Sequence, residues 1–275
     1  MKFSRGMMSR LPYAGVDTVS DGRPPGSAAS GPPVVVLAGV YPMTGVANNR
    51  VAASIIGPAG RLVGAGRRVY VINRFPNIPD DITMSDFARI HADAFATYFD
   101  GPVDLIGCST GGSIAQQIAS EHPDVVRRLV LASTGYTLPE PARQEQAAVA
   151  DQIAAGDIRS AASSFFSELL PAPLRSPGGL AARLLAHKIF PSHQAALDLA
   201  ATLRAEDAFD ISRYPTITAP TLIVGGADDA YYPTEMFERT AELIPGSMLH
   251  IEPGRGHVAA LGDAHIQQIV LTFLS

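Results

Sequence analysis

The segment Gly107-Cys108-Ser109-Thr110-Gly111 has the spacing G-x-S-x-G, which suits a serine presented as a nucleophile at a sharp turn. Before it, Val103 to Ile106 is a short apolar run of the kind a strand buried on both faces requires. After it, Ile114, Ala115, Ile118 and Ala119 recur at helical spacing. Ser109 is therefore predicted at a strand-to-helix turn. Gly107, Gly111, Gly112 and Ser113 keep that crossing clear, and the N-terminus of the new helix directs free N–H groups and a positive dipole end toward developing negative charge.

A serine hydroxyl is a poor nucleophile at neutral pH and needs a base within hydrogen-bond reach, with a third group to orient that base. Seven histidines compete. His91 and His265 fall in helical patterns, His122 adjoins Pro123 at a helix end, His187 and His193 lie in a long helical stretch, and His250 in a strand-like run. His257 differs, because Gly254-Arg255-Gly256 puts it on a loop after the last strand and directly before a helix, where an imidazole reaches a sheet's carboxyl edge. The acid is expected between serine and histidine along the chain. Gly225-Gly226-Ala227-Asp228-Asp229 follows a buried run and offers both aspartates.

The elements that must position these residues are legible as alternating periods. Val34 to Ala38, Val69 to Ile72, Val103 to Ile106, Leu129 to Leu131 and Thr221 to Val224 read as buried strands, and Met84 to Phe99, Thr110 to Ser120, Thr234 to Leu243 and Ala264 to Leu274 as helices. Such alternation implies an α/β fold with a doubly wound, mostly parallel sheet. It breaks once. From 139 to 213 only helical patterns occur, clearest where Ile158, Ala161, Ala162, Phe165, Phe166 and Leu169 share one face. Asp157 and Ser192 are expected as N-caps, Pro171 and Pro173 as stops, and Ser176-Pro177 as a further helix start. This insertion follows a strand's carboxyl end, where open α/β sheets bind ligands, and is expected to be an inserted helical lid. The division is 1–33 as an N-terminal segment with a flexible loop, 34–138 and 214–275 as core, and 139–213 as lid.

With these residues placed, the chain resembles the α/β-hydrolase superfamily from about Val34 to the C-terminus, including Gly111-Gly112-Ser113-Ile114-Ala115-Gln116-Gln117 and His122-Pro123. The family's acid loop commonly reads Gly-x-x-Asp-x-x-x-Pro, and counting back from Pro233 selects Asp229 over Asp228. The resemblance implies a triad of Ser109, Asp229 and His257, with an oxyanion hole from the backbone N–H groups of Val40 and Thr110. The family's oxyanion loop often begins His-Gly, whereas here it reads Ala38-Gly39-Val40-Tyr41-Pro42, so the usual imidazole is missing. A serine at 109 argues against the dehalogenase and epoxide-hydrolase branches, which use aspartate.

The expected activity is hydrolysis of a small, largely apolar carboxylic ester or lactone through an acyl-enzyme. Rival readings are a C–C bond hydrolase, a peptidase or a cofactor-free haloperoxidase-like enzyme on the same triad, or a non-catalytic ligand-binding protein of this fold. Tyr41, Met43, Phe165, Phe166 and Tyr231 are candidate substrate contacts. The two phenylalanines fit plain packing equally well.

Composition excludes other classes. A net charge of −5 carries no basic footprint for nucleic acid, and 47% hydrophobic with 17% charged residues fits a large core. The single cysteine, Cys108, permits no intramolecular disulfide and reads as a packing group. Gly57 to Gly66 precedes a strand and does not open a helix, so neither a P-loop nor a dinucleotide fingerprint fits. With no H-E-x-x-H and no cysteine–histidine cluster, neither metal nor organic cofactor is called for. Lys2, Arg5 and Arg10 are followed by Pro12, Gly15 and Asp17 and not by an apolar run, so no secretory signal is read and a cytoplasmic location is expected. The anticipated partner is a small-molecule substrate; no membrane span is expected and the oligomeric state is not legible.

Overall fold

The computed structural model describes residues 15–18, 31–42, 44, 57–168 and 172–275. Seven strands, β1 (Gly15–Thr18), β2 (Val34–Leu37), β3 (Val69–Ile72), β4 (Val103–Cys108), β5 (Val126–Ala132), β6 (Thr221–Gly226) and β7 (Met248–Glu252), form one sheet in the order β1-β3-β2-β4-β5-β6-β7. β1 is antiparallel to β3 and every other neighbouring pair is parallel. The described helices are α1 (Gly60–Gly64), α2 (Met84–Tyr98), α3 (Thr110–Glu121), α4 (Glu140–Ala154), α5 (Ile158–Glu168), α6 (Ala172–Leu184), α7 (Ala186–Ile189), α8 (His193–Asp207), α9 (Thr234–Leu243), α10 (His257–Leu261) and α11 (Ala264–Leu274). None is long and apolar enough to cross a membrane.

Alternate residues of the central strands feed two cores, as the pleat dictates. Val35, Leu105, Leu129 and Ile223 pack with Phe87 of α2, Ile118 of α3 and Phe237 of α9. Val34, Val36, Ile106 and Val130 pack with Leu62 of α1 and Ile266 and Val270 of α11. Helices therefore cover both faces, which is why the strands read as unbroken apolar runs. The helices α4 to α8 between β5 and β6 carry a third core, with Val149, Ile153, Phe165, Leu199 and Leu203 at its centre. At about 1.5–3 kcal/mol for each fully buried side chain of this size, that satellite core helps hold the insertion together.

Three local features depart from the sequence reading. β1 lies in the N-terminal segment, to which the sequence reading assigns no strand, because four residues of edge strand are too short for a period to show. β7, which is half-buried to exposed, extends the sheet past the five buried runs. α6 starts at Ala172, not at Ser176, and carries Pro177 inside it. Pro173 occupies the first turn, where its missing N–H costs nothing, and Pro177 sits on an exposed face of the helix. Asp157 and Ser192 do cap, accepting from the backbone N–H groups of Ser160 and Ala195.

One charged residue within a central strand is fully buried. Asp104 of β4 is fully buried and receives Arg67 Nη2 at 2.6 Å and Arg127 Nε and Nη2 at 2.8 and 2.5 Å. Arg67 also donates to the carbonyls of Pro32 and Leu274, tying the entry to β2 and the end of α11 to this carboxylate. Asp104→Ala leaves the largely buried Arg67 guanidinium without its counter-charge and is expected to lower the unfolding free energy by about 3–5 kcal/mol, read from a urea titration. A loss under 1 kcal/mol would show the pair to be dispensable.

Candidate active site

Ser109 is the residue between β4 and α3, with φ 52° and ψ −126°. This is a conformation L residues avoid, and the surroundings impose it. Ser109 N donates to Ala132 O of β5 at 3.0 Å, while Gly112 N donates back to Ser109 O at 2.6 Å as α3 begins. A side chain on Gly111 would strike the carbonyls of Leu37 and Ala38, and one on Gly112 would strike Thr134. The helix can start here only because these positions are bare.

The chain brings together three residues remote in sequence. His257, at the first turn of α10, places Nε2 at 3.0 Å from Ser109 Oγ and Nδ1 at 2.9 Å from Asp229 Oδ2. Asp229 Oδ1 accepts the backbone N–H groups of Tyr231 and Tyr232 at 2.9 and 3.0 Å, so both carboxylate oxygens are engaged. Asp229 is buried, whereas Asp228 is exposed. The Tyr232 ring stacks on the imidazole at 5.9 Å and 21°, and Ser133 Oγ donates to His257 O at 3.2 Å.

The triad opens into a cavity of about 330 Å³. Its floor is Val40, Ser109, Thr110, Tyr231 and His257, and its roof is the insertion: Glu145, Gln146, Ala148 and Val149 of α4, Ser163, Ser164, Phe165 and Ser167 of α5, and Leu203 of α8. Val40 and Thr110 line the cavity with Ser109, and a Cβ on Gly39 would meet Ser109 Cβ at 3.2 Å, so the early loop passes directly against it. Of the candidate substrate contacts, Phe165 and Tyr231 line this space. Phe166 instead packs on the insertion's own core, edge-on to Phe165, and Tyr41 packs on the core beneath the sheet. Met43 lies outside the described residues, as do Leu169 and Pro171. Cys108 is buried and its thiol is pushed up to about 12, consistent with packing.

Sequence reasoning missed a set of buried polar residues that joins the insertion to this site. On α8, Asp198, Thr202 and Glu206 are spaced four apart on one face, fully buried. Glu206 accepts from Thr110 Oγ1 and Ser113 Oγ, both at 2.8 Å, and from Gln146 Nε2 at 3.1 Å; Gln146 also donates to Tyr231 OH at 2.8 Å. Burial pushes the Glu206 carboxyl above the ordinary range, opposed by those three hydrogen bonds and by nearby His257. Arg74, just past β3, donates to Thr202 Oγ1 at 2.7 Å, to Asp198 O at 3.3 Å and to Tyr41 O. Burial lowers its pKa to about 10, with Asp198 and Glu206 opposing. Asp198 in turn accepts from Thr44 Oγ1 and from the N–H groups of Asn77 and Ile78. The signal was available: three polar residues at helical spacing in a helix otherwise rich in alanine.

The profile of the Alpha/beta hydrolase family matches residues 29–270. The chain belongs to that family. Among curated relatives of this alpha/beta hydrolase, a pimeloyl-[acyl-carrier protein] methyl ester esterase of Neisseria meningitidis is 33% identical over 182 residues, spanning 63% of this chain and 69% of the relative. A 2-hydroxy-6-oxononadienedioate/2-hydroxy-6-oxononatrienedioate hydrolase of Pseudomonas is 27% identical over 182 residues, 62% of each chain. Among solved structures, the enol-lactonase from Burkholderia xenovorans LB400 superposes with a TM-score of 0.72 at 16% identity, covering 99% of both chains, which speaks to the fold.

The backbone at Ser109 makes a prediction about stability. Ser109→Gly should raise the unfolding free energy by about 1 kcal/mol, since glycine adopts φ 52° without strain, whereas Ser109→Ala, which keeps the Cβ, should not. Equal stabilities of the two variants in urea titrations would show that the turn holds no strain at this residue.

Proposed function

We propose that this alpha/beta hydrolase is a serine esterase, cleaving a small carboxylic ester or lactone through an acyl-enzyme. The observation that carries the reading is the pair of contacts through His257, 3.0 Å to the Ser109 hydroxyl and 2.9 Å to the Asp229 carboxylate. Ser109 Oγ attacks the ester carbonyl as His257 Nε2 takes its proton, and Asp229 fixes the imidazole with Nδ1–H directed at Oδ2. Charge on the tetrahedral oxygen is met by the N–H groups of Val40 and Thr110 and by the N-terminus of α3. The imidazolium returns the proton to the leaving oxygen, which departs as the alcohol. Water then attacks the acyl-enzyme with the same groups in reversed roles. The insertion acts as a lid, roofing the acyl pocket with α4, α5 and α8.

Substrate charge follows from the walls. Glu145 lines the cavity, while none of the described lining residues is a lysine or an arginine. An uncharged acyl group is therefore favoured over a dicarboxylate such as the one in the Pseudomonas relative's name. The hydroxyls of Ser163, Ser164 and Ser167 add polar contacts to what composition alone suggested was an apolar pocket.

In this scheme Arg74 and Glu206 are positioning residues. Arg74 holds the Tyr41 carbonyl, one residue past the Val40 donor, and so takes the place of the imidazole missing from the early loop. Glu206 holds the Thr110 side chain, and with it the second donor.

The reading is tested by labelling with a fluorophosphonate and by hydrolysis of p-nitrophenyl butyrate. Wild-type protein should be labelled and active, with Ser109→Ala giving neither. A half-ester of succinate should be cleaved at least about tenfold less efficiently than the neutral ester, a difference of about 1.4 kcal/mol. Retained turnover in Ser109→Ala would remove this serine from the chemistry. For positioning, Glu206→Ala should lower kcat by about tenfold to a hundredfold with KM little changed, as expected when a group near the reacting atoms shifts. Glu206→Gln, which keeps an acceptor for Thr110, should recover most of it. A kcat unmoved by Glu206→Ala would deny Glu206 the role.

A further inference from the structure

Away from the pocket, three potential metal ligands converge at the edge of the sheet. Glu252, the last residue of β7, presents one oxygen to two imidazoles: Oε2 lies 2.8 Å from His250 Nε2 and 2.7 Å from His265 Nδ1. All three atoms fall within 4.8 Å of one another, and the two rings stand edge to face at 5.1 Å and 87°. We propose that His250, Glu252 and His265 form a binding site for a borderline divalent transition-metal ion, with Zn²⁺ as the first expectation.

The donor set is two imidazole nitrogens and a carboxylate oxygen, which suits Zn²⁺, Ni²⁺ or Cu²⁺ over Mg²⁺ or Ca²⁺. Tetrahedral coordination at ordinary zinc distances separates ligand atoms by about 3.3 Å, so each nitrogen need retreat from Oε2 by only about 0.5 Å. The frame permits that. His250 and Glu252 alternate onto the same face of β7, and the backbone of His265 is fixed by the Asp263 cap, which accepts from His265 N at 2.7 Å and Ile266 N at 3.2 Å. The His265 side chain is 61% exposed, giving an ion access and leaving a position for water, while Glu252 is 17% exposed. Arg255 is taken up by Asp263 at 2.8 Å. On binding, the ring nitrogens facing Glu252 coordinate through their lone pairs and carry their protons on the opposite ring nitrogens.

No spacing motif announces this set, because two ligands lie two apart on a strand and the third thirteen residues on, at the start of α11. Glu252 and His265 bracket the segment that carries His257, so the ion would clamp both ends of that segment without lining the cavity at Ser109.

The experiment is titration of the full-length, tag-free, chelator-stripped chain with ZnCl₂ by calorimetry, and with CoCl₂ followed by visible d–d absorption. One saturable site per chain, a Co²⁺ spectrum of tetrahedral intensity and a rise in melting temperature with Zn²⁺ are expected. His250→Gln with His265→Gln, both exposed enough to leave the metal-free melting temperature within a degree or two, should weaken Zn²⁺ binding by at least tenfold and abolish the spectrum. Absence of a saturable site in the wild type, or equal affinity in the double variant, overturns the assignment.

Discussion

A serine holds φ near +52° only if the chain on either side leaves it no relaxed alternative, and that constraint organises this molecule. β4 delivers Ser109 to the sheet's carboxyl edge while α3 must start at once, packed against the ends of β2 and β5. Both demands are met because Gly111 and Gly112 carry no side chain where the Leu37 and Ala38 carbonyls and Thr134 come in. In the proposed mechanism the strain serves the function. A relaxed turn would aim the hydroxyl elsewhere, and the imidazole delivered by the segment after β7 would have nothing at 3.0 Å to accept from.

The insertion is joined to this centre by buried charge as well as by apolar packing. Its own core is separate from the two that flank the sheet, so apolar area alone would leave its orientation loosely set. The stripe Asp198, Thr202 and Glu206 supplies direction, since each acceptor on α8 meets specific donors on the core: Asn77 and Ile78 N–H, the Arg74 guanidinium, the Thr110 and Ser113 hydroxyls. Buried charges add little net stability but tolerate few arrangements. The roof of the pocket and the two proposed oxyanion donors are therefore registered by one set of side chains.

What could be read in advance follows from which signals are local. The buried parallel strands announce themselves because both faces are covered, and Thr234–Leu243 and Ala264–Leu274 because their apolar faces have one clear period. Of the residues proposed for the site, Ser109 and His257 stand out by glycines and chain order, and Asp229 through the resemblance to the family's Gly-x-x-Asp-x-x-x-Pro loop ending at Pro233. β1 was hidden by its length, and α6 by Pro177, whose usual meaning as a helix start was overridden by the first turn at Pro173. Arg74 was not found because it acts through partners more than thirty residues away and a lone arginine has no spacing to betray it, whereas Glu206 belongs to a polar stripe at helical spacing whose donors, on distant elements, only the fold brings to it. The division of labour between Phe165, which lines the pocket, and Phe166, which packs, depends on where adjacent positions on one helix face, which periodicity alone left open.

The most direct measurement of the central claim is rapid-quench mass spectrometry during turnover of a slowly deacylating ester, with peptide mapping of any adduct. The account predicts a transient mass increase equal to the acyl group, located on the peptide containing Ser109 and formed in a burst ahead of steady state. Turnover at the normal rate with no adduct, or an adduct on another residue, would contradict it.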